Sequence, residues 1–145
     1  MLVGLKQYYF LDNSGELKTS IQLQGDFVIA YALRLWKSSD DKVVNLIEDI
    51  RGSCFNKTFK TICYNLLKLD SNNFTYFLEL DANISTIQPK AEYAIKLSIE
   101  QKIDEGEWRF LATEKAYGNV SCNERGVFSN IGITFSSNNV SKMIG

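Results

Sequence analysis

The sequence predicts an all-β protein, an antiparallel β-sandwich of immunoglobulin-like or jelly-roll kind. Two observations carry the prediction. The stretch from Gly25 to Trp36 alternates with a period of two: Phe27, Ile29, Tyr31, Leu33 and Leu35 share one face, while Val28, Ala30, Ala32, Arg34 and Trp36 share the other. Strict alternation over that length marks a strand with one face in a core. The second observation is punctuation. Turn signals such as Asp12-Asn13-Ser14-Gly15 and Asp70-Ser71-Asn72-Asn73 divide the chain into short apolar segments, and no long helical pattern intervenes.

Taken in order, residues Leu2 to Leu11 are apolar and aromatic and predict a first strand. Leu17, Thr19, Ile21 and Leu23 alternate with Lys18, Ser20 and Gln22 in a second, ended by Gln24-Gly25-Asp26. The central strand follows. Val43 to Ile50 is rich in β-branched residues and predicts a strand, with Arg51-Gly52-Ser53 as a hairpin turn, Gly52 at positive φ and Cys54 to Phe59 as the returning partner. Thr61 to Leu69 is a further strand, and Phe74, Tyr76, Leu78 and Leu80 alternate in the next. Asp81 to Lys90 reads as a connection and contains the only proline, Pro89. Tyr93, Ile95, Leu97 and Ile99 alternate against polar neighbours, Trp108 to Ala112 is apolar again, and Thr113 to Arg125 reads as a polar loop or irregular edge. Val127, Ile131, Ile133 and Phe135 form a last strand. One domain over residues 1–135 and a frayed tail over 136–145 are expected, with Phe27, Ile29, Leu33, Leu78, Ile95, Leu97 and Ile133 in the core.

Composition excludes several kinds of chemistry. There is no histidine, so Ser-His-Asp and Cys-His catalysis and imidazole metal ligation are ruled out. The three cysteines, Cys54, Cys63 and Cys122, lack the spacing of zinc or thioredoxin-type sites and are expected to be reduced, buried and small. A net charge of −1 offers no basic field to nucleic acid or anionic lipid. No apolar run reaches the roughly 20 residues of a membrane-spanning helix, and the first residues lack the basic and apolar regions of a signal peptide. A cytoplasmic location is therefore expected, and Met1 is compatible with a domain cut from a longer protein. Sequons at Asn56, Asn73, Asn83, Asn119 and Asn139 read as chance in an Asn- and Ser-rich chain.

The carboxylate clusters Asp40/Asp41, Glu48/Asp49 and Asp104/Glu105/Glu107 have the ordinary composition of solvated turns, and no phosphate-cradling loop or nucleophile elbow is present. The reading is therefore non-catalytic, with no cofactor and no metal. The aromatic residues are more informative. Trp36 shares its expected outward face with Arg34, and Trp108 stands between Glu107 and Arg109. An indole offers a flat apolar surface to a sugar ring, and a guanidinium offers a fixed fork of donors to sugar hydroxyls or carboxylates. Arg34, Trp36 and Trp108 are accordingly the candidate carbohydrate-binding residues, set against the plainer reading that both tryptophans are core or edge packing. A protein–protein interaction sandwich, such as a phage or surface-assembly component, is the alternative.

Several blocks of the chain resemble the C-terminal carbohydrate-binding domain of the ATP-binding subunit of O-antigen polysaccharide ABC transporters. These are Leu11-Asp12-Asn13-Ser14-Gly15, Gln24-Gly25-Asp26-Phe27-Val28, the run from Leu46 to Phe55, and Gly126-Val127 before the last strand. Lys90-Ala91-Glu92-Tyr93 keeps the tyrosine of the family's Gly-x-Tyr but not its glycine. The resemblance implies a sandwich that dimerises, by exchange of its last strand, and that binds the end of a lipid-linked glycan on the cytoplasmic side before export. The net charge and the lack of a long apolar run, for their part, lead to the expectation of no nucleic-acid partner and no direct membrane insertion.

Overall fold

The computed structural model describes residues 7–9, 16–38, 43–68, 75–102 and 107–136. They form nine strands: β1 (Gln7–Tyr9), β2 (Glu16–Gly25), β3 (Phe27–Ser38), β4 (Val44–Asn56), β5 (Phe59–Lys68), β6 (Thr75–Ser85), β7 (Ala91–Lys102), β8 (Trp108–Val120) and β9 (Val127–Ser136). Two sheets pack face to face, one in the order β1-β9-β6-β3-β4 and the other in the order β5-β2-β7-β8. All pairings are antiparallel except that of β1, which runs parallel to β9. Only β3–β4 and β7–β8 are consecutive strands paired within one sheet; the other connections change sheets. The all-β sandwich is thus the observed fold. No helix among the described residues is long and apolar enough to cross a membrane. The expected tail, except Ser136, and most of the expected first strand lie outside the described residues.

The central strand is where its alternation puts it, between β6 and β4. Phe27, Ile29, Leu33, Leu78, Ile95, Leu97 and Ile133 are all buried, joined by Leu17, Ile21, Leu23, Leu35, Leu80, Ile84, Ile99 and Phe135. Full burial of each such side chain stabilises by about 1.5–3 kcal/mol relative to leaving it in water.

Three segments depart from expectation. Gly52 is not in a turn: β4 runs unbroken from Val44 to Asn56, and Gly52 is the register partner of Tyr31. Its lack of a side chain serves close approach, since a β-carbon there would lie 2.6 Å from Tyr31 Oη. Positive φ belongs instead to Gly25, at 130°, in the turn between β2 and β3, and to Gly126, at 138°, just before β9. The β2–β3 turn is held from outside by Asn56, whose amide donates to the Gly25 carbonyl at 2.9 Å, and by Thr86, whose hydroxyl donates to the Asp26 carbonyl at 2.9 Å. Asp81 to Ser85 is not a connection but the second half of β6, and Thr113 to Val120, expected as a loop or irregular edge, is most of the regular edge strand β8. The inward positions of β8 include Ala112, Ala116 and Gly118, too small to print a hydrophobic period. The cysteines are free, as expected, but not buried: Cys63 and Cys122 are exposed and Cys54 is partly exposed. Asn56, in one of the sequons, is buried.

Two tyrosines tie the sheets together. The Tyr31 hydroxyl on β3 bonds the Tyr64 hydroxyl on β5, and the Tyr93 hydroxyl on β7 bonds Ser129 Oγ on β9 at 3.0 Å. Burial, then the hydrogen bond to Tyr64, pushes the Tyr31 phenol well above the usual tyrosine range.

Two outcomes follow. Leu33→Ala should cost about 2–5 kcal/mol in urea unfolding, the range for a buried leucine that leaves a partly collapsed cavity; a loss below about 0.5 kcal/mol would reverse the face assignment of β3. Because the Tyr31 phenol titrates higher in the folded than in the unfolded chain, the unfolded state releases that proton first as pH rises. The stability it contributes is complete below the ordinary tyrosine pKa of about 10 and is lost progressively above it. The unfolding midpoint of Tyr31→Phe should therefore fall less steeply than that of the parent between pH 9 and pH 11.5 (both about one to two units around that value); parallel curves would refute the assignment.

Candidate functional site

Among the described residues nothing covers the outer faces of the two sheets, and each face carries expected residues. Arg34 and Trp36 project from β3 on the outer face of the five-stranded sheet. Trp108 projects from β8 on the outer face of the other sheet. The sandwich lies between them, so the three do not converge.

On the first face, Arg34 is the hub of a charged row. Its Nη1 donates to Asp81 Oδ2 at 2.5 Å and to Glu79 Oε1 at 3.2 Å on β6, and its Nε lies 3.9 Å from Asp49 Oδ2 on β4. The row follows from register, because Asp49 and Glu79 are the cross-strand partners of Arg34 on either side. The Asp81 hydrogen bond holds the guanidinium more firmly charged, against the opposing effect of burial. The indole N–H of Trp36 donates to Glu79 Oε1 at 3.2 Å. Asn130 on β9 donates to the second Asp81 oxygen, and the exposed Arg51 lies 3.3 Å from Asp49. The fork expected to meet a ligand is thus occupied by the protein's own carboxylates. Beside the row, Trp36, Val44 and Phe77 line a largely apolar hollow of about 360 Å³, and Ala30, Ala32, Arg51 and Phe128 line one of about 310 Å³.

The second face is built differently. Across its four strands runs the row Phe59, Gln24, Ala94, Tyr117, each residue the register partner of the next. Its ends are aromatic and exposed, Phe59 at 60% and Tyr117 at 79%. Three interstrand spacings put them roughly 14 Å apart. The adjoining row is Thr61, Gln22, Lys96, Lys115. Two neighbouring cavities of about 450 and 250 Å³ open here and share Gln24, Ala94 and Tyr117. Ala94 provides the floor, and the Gln22 and Gln24 amides offer both donors and acceptors with no side-chain partner among the described residues. Trp108 lies on this same face, but about 25–30 Å along β8 from Tyr117, with Lys18 Nζ 4.6 Å over its ring.

Sequence reasoning missed Phe59 and Tyr117. Tyr117 lies in the stretch that reads as a loop or irregular edge, because the small inward residues of β8 hide its period. The alternation Thr113, Lys115, Tyr117, Asn119 was the available signal. Among the described residues, no group of three or more acids or cysteines could hold a metal ion. No family model matches this chain, and no curated protein or solved structure matches it either.

The two arginines on the first face differ in what they leave behind. Arg34→Met should cost about 1–3 kcal/mol, since Asp81 and Glu79 keep their charge without a partner. Arg51→Met, at the exposed end of the row, should cost less than about 0.5 kcal/mol. Urea unfolding of the two variants at neutral pH measures both, and equal losses would show that the row is not centred on Arg34.

Proposed function

We propose that this domain is a non-catalytic carbohydrate-binding module that recognises a polysaccharide, and that the trough between Phe59 and Tyr117 is where the glycan lies. The observation that carries the reading is the cross-strand row itself: two exposed aromatic rings, a small floor between them, and unengaged amides beside it. Rings at that separation can cover apolar sugar faces. The amides can then meet the equatorial hydroxyls, and Ala94 lets the glycan approach the sheet.

The resemblance noted in the sequence refines the proposal to a glycan of O-antigen type, bound on the cytoplasmic side for export by an ABC transporter. Binding per site would be weak, and a homodimer would raise avidity through effective concentration. A protein–protein interaction sandwich is the second reading. It is favoured by the apolar hollow at Trp36, Val44 and Phe77 on the opposite sheet, where exposed Val44 and Leu46 extend the apolar surface along the edge strand β4.

A glycan array followed by calorimetric titration of the best binder tests the proposal. Tyr117→Ala should weaken binding about tenfold or more, the factor that corresponds to about 1.4 kcal/mol, while leaving the thermal midpoint nearly unchanged. Trp36→Ala is the control on the other sheet. Loss of binding in Trp36→Ala but not in Tyr117→Ala would move the site to the Arg34 face, and binding of no glycan would favour the protein partner.

A further inference from the structure

The trough carries an uncompensated pair of cations. Lys96 on β7 and Lys115 on β8 are direct register partners, project from the same outer face and line the same cavity. Like charges directly opposite in a ladder destabilise a sheet. No hydrogen bond or ion pair engages either ammonium among the described residues. The side chains around them on this face are neutral: Gln22 across the ladder, Ala94 and Tyr117 towards one end, and Ser98 and Thr113 towards the other, where those two hydroxyls bond each other at 3.1 Å. Glu114 precedes Lys115 but stands on the opposite face of β8, across from Leu97. Glu92 and Glu100 are each four residues from Lys96 along β7, about 13 Å away.

Lys18, on the same face, is treated otherwise. It lies 3.8 Å from Glu100 and over the Trp108 ring. Lys102 on β7 is likewise partnered, 3.9 Å from Glu16. The sheet therefore partners Lys18 and Lys102 and leaves Lys96 and Lys115 facing the trough. Their repulsion is relieved by an anion placed between them.

We infer that the trough takes an acidic saccharide, whose anionic substituent is held between Lys96 and Lys115 while its ring lies against Tyr117 and its hydroxyls meet Gln22 and Gln24. The inference rests on the carbohydrate-binding reading and adds the charge class of the ligand. A uronate carboxylate and a sugar phosphate supply the same chemistry, an oxyanion of suitable size for two ammonium donors. Neutral sugars would leave both cations unmatched, so the site discriminates by charge as well as by shape.

The test uses matched pairs on one array, probed with the whole chain: uronate oligosaccharides beside their methyl esters, and phosphorylated oligosaccharides beside the same chains without phosphate. Binding should be confined to the acidic members. Whether uronates or phosphorylated chains are retained identifies the source of the anion. Binding should weaken at least tenfold in Lys96→Gln and in Lys115→Gln and fall with added salt, whereas Lys18→Gln should leave it unchanged. Equal binding of acidic and neutral members, or no effect of the two lysine substitutions, overturns the inference while leaving the carbohydrate reading in place. Failure of every member to bind overturns both.

Discussion

The sandwich depends on two tyrosines that lie over glycines. Tyr31 stands opposite Gly52 and Tyr93 opposite Gly118, and in each pair the glycine is on an edge strand, β4 or β8. A β-carbon at Gly118 would come within 3.0 Å of Tyr93 Oη, and the approach at Gly52 is closer still. The glycines let each ring lie across its own sheet while its hydroxyl reaches the other. A hydroxyl bond contributes only about 0.5–1.5 kcal/mol net. Its larger effect is on register, because it fixes which edge residue opposes which ring.

Register is what places the candidate site. A slip of β8 by one residue would turn Tyr117 and Lys115 inward and bring Ala116 and Gly118 to the surface. The Tyr93–Gly118 pair lies one residue from the Ala94–Tyr117 pair, so the element that holds the sheets together also holds the trough in shape. The turn at Gly25 serves the same end. It brings β2 to a stop beside Phe59 and Glu92, with Gly25 N donating to the Thr58 carbonyl at 3.0 Å.

The two outer faces show opposite uses of the same residue types. On the five-stranded sheet, Arg34 Nη1 and the Trp36 indole N–H donate to Glu79 and Asp81, so these groups are already engaged within the face. On the four-stranded sheet, amides and ammoniums beside exposed rings are left without side-chain partners among the described residues. A side chain's capacity to bind a ligand is what remains after its neighbours have taken their share, and neighbours across a ladder are distant in sequence.

The sequence by itself determined the class of the fold, the central strand and its core face, because a period of two with large apolar residues survives any choice of partners. It also excluded histidine chemistry outright. It did not disclose the second half of β8 or the continuity of β4, where the inward positions include Ala116 and Gly118 on one and Gly52 and Cys54 on the other; glycine and alanine carry no hydrophobic period and are read as turn or loop. The tertiary structure decided that Gly52 makes room for a ring rather than a turn, that Arg34 is consumed by carboxylates 45 and 47 residues away along the chain, and that Trp108 is on the other sheet. It also decided the row Phe59, Gln24, Ala94, Tyr117. Four strands contribute one residue each to that row, and only pairing of the strands sets them side by side.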